Sequence, residues 1–222
     1  MKYSVLFFLV FLFAGCASTT LKNQSGVDRK QLLLMPQSMV VGMASDSYRS
    51  ALQEASKKNK LNVDPFQVNR VKRISNRLIA NATYFKPEAS QWPWEVNVQD
   101  SDEVNAYCMP GGKIMVYSGL IRKLNATDDE LAAVIGHEIS HALREHGRER
   151  MSTAAVQQLG LIGFAAYISN TSNRNRANAT MQAASLGTTL FFALPKAAHK
   201  KERLMLLALN WLQDQALILL LQ

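Results

Sequence analysis

Cysteine is scarce in this chain of 222 residues, which contains only Cys16 and Cys108. Two cysteines cannot form the framework of several bridges that stabilises small secreted domains. The chain must therefore be held together by an apolar core, and its length and 48% hydrophobic content are sufficient for one domain of ordinary size. The same values argue against an intrinsically disordered chain.

Clusters that interleave basic and aromatic residues are also lacking. The formal net charge of +8 would suit a nucleic-acid partner. However, the basic residues are scattered apart from two short segments, Asn173–Arg176 and Lys196–Arg203, and neither segment contains an aromatic residue of the kind that stacks on bases. A solvated basic surface explains this pattern better, so we expect no nucleic-acid partner.

The N-terminus carries an apolar run from Tyr3 to Phe13, which is too short to predict a membrane-spanning helix. Small residues follow it, and together they predict a secretory signal peptide over residues 1–15, with an N-terminal anchor helix as the alternative. Ala14-Gly15-Cys16 resembles the bacterial lipobox. This resemblance implies a lipid on Cys16, a tether over residues 16–28, and an outer-membrane lipoprotein that faces the periplasm.

Hydrophobic periodicity predicts two amphipathic helices, around Met39–Lys60 and Gln67–Ala82. The segment WPWEVNVQ then alternates large and polar residues, as a half-buried strand does, and VNAYCM and KIMVYS are two further strand candidates. We predict that they form a small antiparallel meander, in which Pro110-Gly111-Gly112 supplies the tight reversal.

A long helix is predicted from Asn125 to Met151, with a capping box of Thr127 and Glu130 at its start. Residues Thr153–Ser169 are apolar enough for a buried helix. The expected fold is therefore α+β and mainly helical, with the small sheet packed beside the long helix.

The densest cluster of metal-binding side chains is VIGHEISHALREH, at residues 134–146. On a helix, His137 and His141 lie about 40° apart around the axis and about 6 Å apart along it, so both imidazoles reach one ion. Glu138 lies beside them, where its carboxylate can accept a proton from a water molecule. This H-E-x-x-H pattern predicts zinc ligands at His137 and His141 and a general base at Glu138, with chance occurrence on a charged helix as the alternative.

Two further residues of this segment, Glu145 and His146, are predicted to stay outside the site. In a continuous helix His146 points about 140° away from His141, so the two cannot share one ion. Glu145 lies one turn beyond His141 and could at most orient another group. We predict an exposed helix surface for both and for residues 148–150.

Two segments, NAYCMPGGKIMVYSGLI and DDELAAVIGHEISHALREHGRERMS, together resemble the HtpX- and Oma-type zinc metalloendopeptidases, particularly their short periplasmic lipoproteins. The resemblance covers about residues 30–195 and implies a zincin-like metallopeptidase domain over residues 29–195, with one zinc ion per chain. It further implies cleavage of misfolded envelope proteins. An extended substrate would pair with the strand before the active-site helix, which comprises Lys113, Ile114, Met115, Val116 and Tyr117.

Acidic residues are absent between Met151 and Lys201, where the third zinc ligand should lie. A catalytic zinc site needs three protein ligands. The resemblance implies that the third is the first glutamate of a Glu-x-x-x-Asp motif. Glu202 lies near the expected place, but Leu206 occupies the position of the aspartate, so Glu202 and His199 are the remaining candidates.

An atypical apolar tail, residues 196–222, follows Pro195. One interpretation is a C-terminal apolar helix for packing or membrane contact. If the codons from Lys196 onward are read two nucleotides later, however, the genetic code allows a string that contains Glu-Arg-Glu-Ala-Asp. That string matches the missing motif, so we hypothesise a frameshift near Lys196.

The motif and the two resemblances together predict a zinc metalloendopeptidase. They imply that it is anchored to the outer membrane through Cys16 and acts on unfolded or misfolded envelope proteins. Without its third ligand, this chain should bind zinc weakly and should be impaired as an enzyme. One alternative is a non-catalytic envelope lipoprotein that binds unfolded proteins. Another is an inactive frameshifted product.

Overall fold

The computed structural model describes residues 16–20 and 30–169, so the predictions for the signal peptide and for the tail after Pro195 lie outside the described residues. Within this part the fold is α+β and mainly helical, as predicted. In chain order the elements are β1 (Cys16–Ala17), β2 (Gln31–Leu32), α1 (Gln37–Lys57), α2 (Pro65–Phe85), a 3₁₀ turn (Pro87–Gln91), β3 (Glu95–Gln99), β4 (Ala106–Met109), β5 (Lys113–Tyr117), α3 (Ser118–Leu124), α4 (Asp128–Leu143) and α5 (His146–Ser169).

Helix α2 begins earlier than its apolar periodicity predicts, because the residues before that pattern form its cap. The Asp64 carboxylate accepts hydrogen bonds from the backbone N–H groups of Phe66 at 2.9 Å and Gln67 at 3.3 Å. Pro65 is tolerated in the first turn, where its missing N–H would have had no partner. The Asp-Pro pair is therefore the start of a helix as well as a turn.

The three-stranded sheet is mixed, with the strand order β3-β5-β4. Strands β4 and β5 form the predicted antiparallel hairpin, and Gly111 and Gly112 adopt φ values of +83° and +79° in its turn. Strand β3 pairs in parallel with β5, so the predicted all-antiparallel meander is wrong. Alternating side chains identify strands, but the route of the connection between strands decides their order and direction.

Residues 100–105 form that connection and carry the chain across the carboxyl end of β5. The backbone N–H of Ser101 donates to the Ser118 hydroxyl at 3.0 Å. Gly119 allows the close passage, because a Cβ there would lie 2.5 Å from the carbonyl oxygen of Glu103. The crossing leaves β5 in the centre of the sheet and β4 at its edge.

Helices cover both faces of the sheet. On one face, Tyr48 of α1 is buried and its phenol donates to the carbonyl oxygen of Ile114 at 2.6 Å. On the other face, α2 and α4 form the main core with the sheet, which keeps one side of α4 buried. Its buried members larger than alanine are Val68, Val71, Ile74, Val96, Val98, Ile114, Val116, Leu120, Ile121, Leu131, Val134, Ile135, Ile139 and Leu143.

Helix α5 is less buried than its composition predicts. Among its described side chains, Leu159 and Ile162 are 62% and 58% exposed, so the prediction of a buried helix over Thr153–Ser169 is wrong there. An apolar composition does not by itself decide which partner a helix packs against. No helix in the described ranges has both the length and the apolar character needed to cross a membrane.

The described start of the predicted tether contacts the folded domain. Strand β1 pairs with β2, and the Thr19 hydroxyl donates to the side-chain oxygen of Gln31 at 2.8 Å. The Lys86 ammonium also donates to the carbonyl oxygen of Thr19, at 3.2 Å. Residues 16–20 are therefore attached beside the end of α4, where Gln31 and Lys86 both have further partners.

Replacing Gly119 with alanine should destabilise the protein by about 1–3 kcal/mol, because the added methyl group meets backbone atoms that cannot rotate away. The measurement is the free energy of unfolding in urea. Gly42→Ala is the matched control: it lies in α1 with open space around its Cβ and should stabilise the protein by about 0.5–1 kcal/mol. Equal effects of the two substitutions would contradict the close crossing.

Candidate metal centre

The helix that carries H-E-x-x-H, α4, begins with the predicted capping box. The Thr127 N–H donates to the Glu130 carboxylate at 2.8 Å, and the Glu130 N–H donates to the Thr127 hydroxyl at 3.3 Å. Asp128 in the first turn forms ion pairs with Arg70 at 2.6 Å and Arg73 at 2.8 Å, both on α2. These contacts lower the pKa of Asp128 and fix the start of α4 against α2.

His137 and His141 converge on one face of α4, as the spacing predicts. Their Nε2 atoms are 2.9 Å apart, and their ring centroids are 4.5 Å apart with the planes nearly perpendicular. Two nitrogens bound to one tetrahedral zinc ion at about 2.0–2.1 Å would lie roughly 3.3 Å apart, so this spacing suits a shared ion. Glu138 is half-buried beside them, and Ile135 and Ile139 anchor the opposite side of the helix in the core.

The electrostatic surroundings keep His141 uncharged. Burial, followed by the nearby side chains of His137, His146, Arg150 and Arg144, lowers the pKa of His141 to about 4. A neutral imidazole retains a lone pair that can bind a metal ion. The donor type and the geometry of His137 and His141 therefore both fit zinc.

A third protein ligand is not found in the part of the chain that the structure describes. Within residues 16–20 and 30–169, no group of three His, Cys, Asp or Glu side chains is arranged to hold a metal ion. The two remaining sequence candidates, His199 and Glu202, lie outside those ranges. The described site thus supplies two histidines that fit zinc and the carboxylate of Glu138.

The predicted long helix is interrupted directly after the motif. Helix α4 ends at Leu143, Glu145 adopts the left-handed conformation with φ +52°, and α5 begins at His146. This change of direction brings His146 back against His141, and their Nδ1 atoms are in hydrogen-bond contact. The predicted separation of about 140° is wrong, because it assumed a continuous helix.

Glu145 is buried at this break and forms two ion pairs. Its carboxylate lies 2.7 Å from the Lys86 ammonium and 2.8 Å from the Arg148 guanidinium, and the Lys86 and Glu145 side chains are only 7% and 8% exposed. Burial alone would raise the pKa of Glu145, but the hydrogen bonds from Arg148 and Lys86 outweigh burial and lower it. The prediction that Glu145 lies on an exposed surface is wrong.

The other charged residues at the start of α5 divide into two groups. Arg148 donates to the carbonyl oxygen of Met35 at 2.6 Å, and Glu149 accepts from the side-chain amide of Gln31 at 3.0 Å. Both are partly buried and serve the fold, contrary to prediction. Arg150 is exposed, as predicted.

The predicted substrate strand, Lys113–Tyr117, is the central strand β5 and has a partner on each side. Its backbone groups are used within the sheet, so edge pairing by Lys113, Ile114, Met115, Val116 and Tyr117 is contradicted. The edge beside α4 is β4, Ala106–Met109, and no further strand pairs with it among the described residues. Sequence reasoning chose the wrong strand because it expected the order of a meander.

Strand β4 also approaches the carboxylate of the motif. Burial raises the pKa of the Cys108 thiol, and the nearby Glu138 carboxylate raises it further. Cys108 therefore stays protonated at neutral pH, and it marks where the sheet edge meets Glu138. Its placement was not predicted, since one cysteine on a strand carries no signal of its neighbour.

Lys86→Met should lower the free energy of unfolding at pH 7 by about 3 kcal/mol, because one partner of a buried ion pair is removed. The loss should shrink as the pH falls through the lowered pKa of Glu145, since a protonated carboxyl no longer needs the cation. Urea unfolding at several pH values provides the measurement. Arg49→Met is the control: Arg49 pairs with Asp46 at 3.5 Å with both side chains largely exposed, so its loss should stay below about 1 kcal/mol.

Comparison with known proteins gives one family and several relatives. The sequence pattern of peptidase family M48 matches residues 65–204, more than half of the chain. The mitochondrial metalloendopeptidase OMA1 of Bos taurus is 31% identical over 160 residues, which is 71% of this chain and 29% of the relative. The beta-barrel assembly-enhancing protease of Yersinia pestis is 30% identical over 104 residues, which is 45% of this chain and 20% of the relative.

A plant relative is more similar over a shorter stretch. The mitochondrial metalloendopeptidase OMA1 of Arabidopsis thaliana is 43% identical over 74 residues, 32% of this chain and 15% of the relative. This chain spans less than a third of the length of each of these three proteins. The resemblance to Oma-type metalloendopeptidases is confirmed, and the chain belongs to peptidase family M48.

Proposed function

We propose that this protein is a zinc-dependent endopeptidase that hydrolyses peptide bonds of unfolded or misfolded envelope proteins. The observation that carries the proposal is the convergence of the His137 and His141 Nε2 atoms, 2.9 Å apart, beside Glu138 and an edge strand. Membership of a metal-dependent peptidase family supports it.

His137 and His141 would hold one zinc ion through their Nε2 atoms. The ion would supply Lewis acidity, which polarises the substrate carbonyl and makes water easier to deprotonate. Glu138 follows His137 directly and would take the proton from the attacking water, then pass it to the leaving amine. These roles require Glu138 to be ionised before the reaction and protonated during it.

The edge strand β4 would bind the substrate backbone. Tyr117 donates its backbone N–H to the carbonyl oxygen of Asn105, and the antiparallel register then makes Tyr107 and Met115 the next hydrogen-bonded pair. The backbone groups of Ala106 and Cys108 consequently point away from β5. An extended peptide could pair with these groups, as in other cases where a peptide adds a strand to a sheet.

The cellular location is proposed from the N-terminal sequence. A lipid on Cys16 would anchor the protein in the outer membrane, and residues 16–20 contact the domain near the end of α4. The domain would then work close to the membrane surface, facing the periplasm. The Yersinia pestis relative is named for enhancing β-barrel assembly, which agrees with envelope proteins as substrates.

The third zinc ligand would be a glutamate that is encoded after Pro195 in the reading frame before the proposed frameshift. Two imidazoles bind zinc far more weakly than a set of three ligands with an open fourth position. We therefore expect that the chain as written is impaired, and that a one-base correction near Lys196 restores Glu-x-x-x-Asp. The sequence of the gene around these codons tests the frameshift directly.

The chain as written should bind less than stoichiometric zinc and should cleave casein slowly or not at all. The frame-corrected chain should bind one zinc ion and cleave casein, because its ligand set is complete. Metal analysis of the purified proteins and a casein cleavage assay provide the measurements. Stoichiometric zinc together with rapid cleavage by the chain as written would contradict the hypothesis.

Glu138→Gln is the matched control in the frame-corrected chain. It keeps the size of the side chain and leaves both histidines in place, but it cannot accept a proton. We expect zinc content to be retained while the cleavage rate falls at least about 100-fold. Unchanged cleavage would remove Glu138 from the proposed mechanism.

Pairing with β4 can be tested by methylating single backbone nitrogens of a peptide that the chain binds. Methylation at alternate residues should weaken binding about fivefold or more, because every second N–H points toward the strand. Methylation at the residues between them should have a smaller effect. Fluorescence anisotropy measures the affinities, and an effect without a two-residue period would contradict edge pairing.

The second candidate function is a non-catalytic lipoprotein that binds unfolded proteins through the same edge. The lack of a third ligand among the described residues favours it for the chain as written. Peptide binding that is retained without any turnover, even after frame correction, would support this candidate over the enzyme.

A further inference from the structure

A histidine outside the H-E-x-x-H motif contacts the second histidine of that motif. The Nδ1 atoms of His141 and His146 are in hydrogen-bond contact, and the ring centroids are 4.7 Å apart. Such a close approach of two ring nitrogens requires a proton on one of them, because two lone pairs repel each other. His141 and His146 are therefore a donor and an acceptor.

Which of the two histidines donates depends on the partner of the His141 Nε2 atom. This atom lies 2.9 Å from the Nε2 atom of His137, so the three imidazoles form a chain from His137 through His141 to His146. Without a metal ion the protons can be arranged in either direction along this chain. If His141 binds a metal ion through Nε2, its one proton must be on Nδ1, and His146 must accept it.

We propose that His146 is a positioning residue for His141: its Nδ1 accepts a hydrogen bond from the Nδ1–H of His141 and holds the Nε2 lone pair toward the metal ion. This inference rests on the function proposed above. Metal-binding histidines usually donate their second N–H to a carboxylate, a carbonyl or a water molecule. Here a neutral imidazole has that place, so the site gains orientation without adding a negative charge.

The fold holds His146 in this position from outside α4. His146 is the first residue of α5, and its placement depends on the left-handed backbone of Glu145. Glutamate rarely adopts this conformation, but buried ion pairs with Lys86 and Arg148 hold Glu145 in place. The acceptor is therefore fixed by contacts that do not involve the metal site.

Zinc affinity of the full-length, frame-corrected chain tests the proposal when it is measured by competition with a chromophoric chelator at pH 7. His146→Phe keeps a ring of similar size but has no acceptor, so zinc should bind about 10–100-fold more weakly. His146→Asn can place its side-chain oxygen where Nδ1 was and should retain most of the affinity. Thr153→Ala on the same helix, whose hydroxyl donates to the Glu149 carbonyl, should leave the affinity unchanged.

The hydrogen bond itself has a spectroscopic signature that does not depend on activity. In the ¹⁵N-histidine-labelled, zinc-loaded chain, we expect a scalar coupling between the two Nδ1 nuclei, with the proton on His141. A wild-type chain without this coupling overturns the proposal, as does a His146→Phe chain that binds zinc like the wild type. Equal losses in the Phe and Asn variants also overturn it, since a purely structural role predicts them.

Failure of the proposed function would look different. A frame-corrected chain that takes up no zinc at all overturns the function, and the positioning role falls with it. Zinc uptake that is unaffected by the His146 substitutions overturns the positioning role alone. If the Phe variant does not fold, the coupling in the wild type and the affinity of the Asn variant decide the question.

Discussion

The burial of the Glu145 carboxylate between Lys86 and Arg148 is the constraint on which the candidate site depends. A buried carboxylate without partners would be too costly to keep ionised, so both cations must be in place when the chain folds. Their partners extend the constraint, because Lys86 also binds the carbonyl of Thr19 and Arg148 binds that of Met35. One buried charge thus joins the N-terminal segment, α2 and α5 at the end of α4.

The ion pairs of Glu145 with Lys86 and Arg148 determine which side chain lies beside the H-E-x-x-H motif. They support a left-handed residue directly after α4, and the resulting turn returns His146 to the face that carries His141. The effect of these ion pairs on the site is through the direction of the backbone at Glu145. The same ion pairs therefore stabilise the fold and set the position of His146 at the site.

The sheet also affects the candidate site indirectly, through the order of its strands. The connection that crosses the end of β5 places β4 at the edge, next to α4, and makes β5 the central strand. That arrangement brings Cys108 of β4 near Glu138 and packs the edge strand against α4. Had the strands formed a simple meander, β4 would have been the central strand and not the edge strand near Glu138.

Local sequence was sufficient for the features that depend on near neighbours. The capping box at Thr127 and Glu130, the shared face of His137 and His141, and the Pro-Gly-Gly reversal all follow from spacings of a few residues. The order of the strands, the break at Glu145 and the partners of Lys86 could not be predicted in this way, because Lys86 and Glu145 are far apart in the chain and no periodicity connects them. By itself, the sequence determined the H-E-x-x-H segment, with His137 and His141 on one face of a helix, and the family resemblance. Only the tertiary structure decided that His146 touches His141 and that β4 is the edge strand, because buried charge pairing and a close backbone crossing act between distant segments.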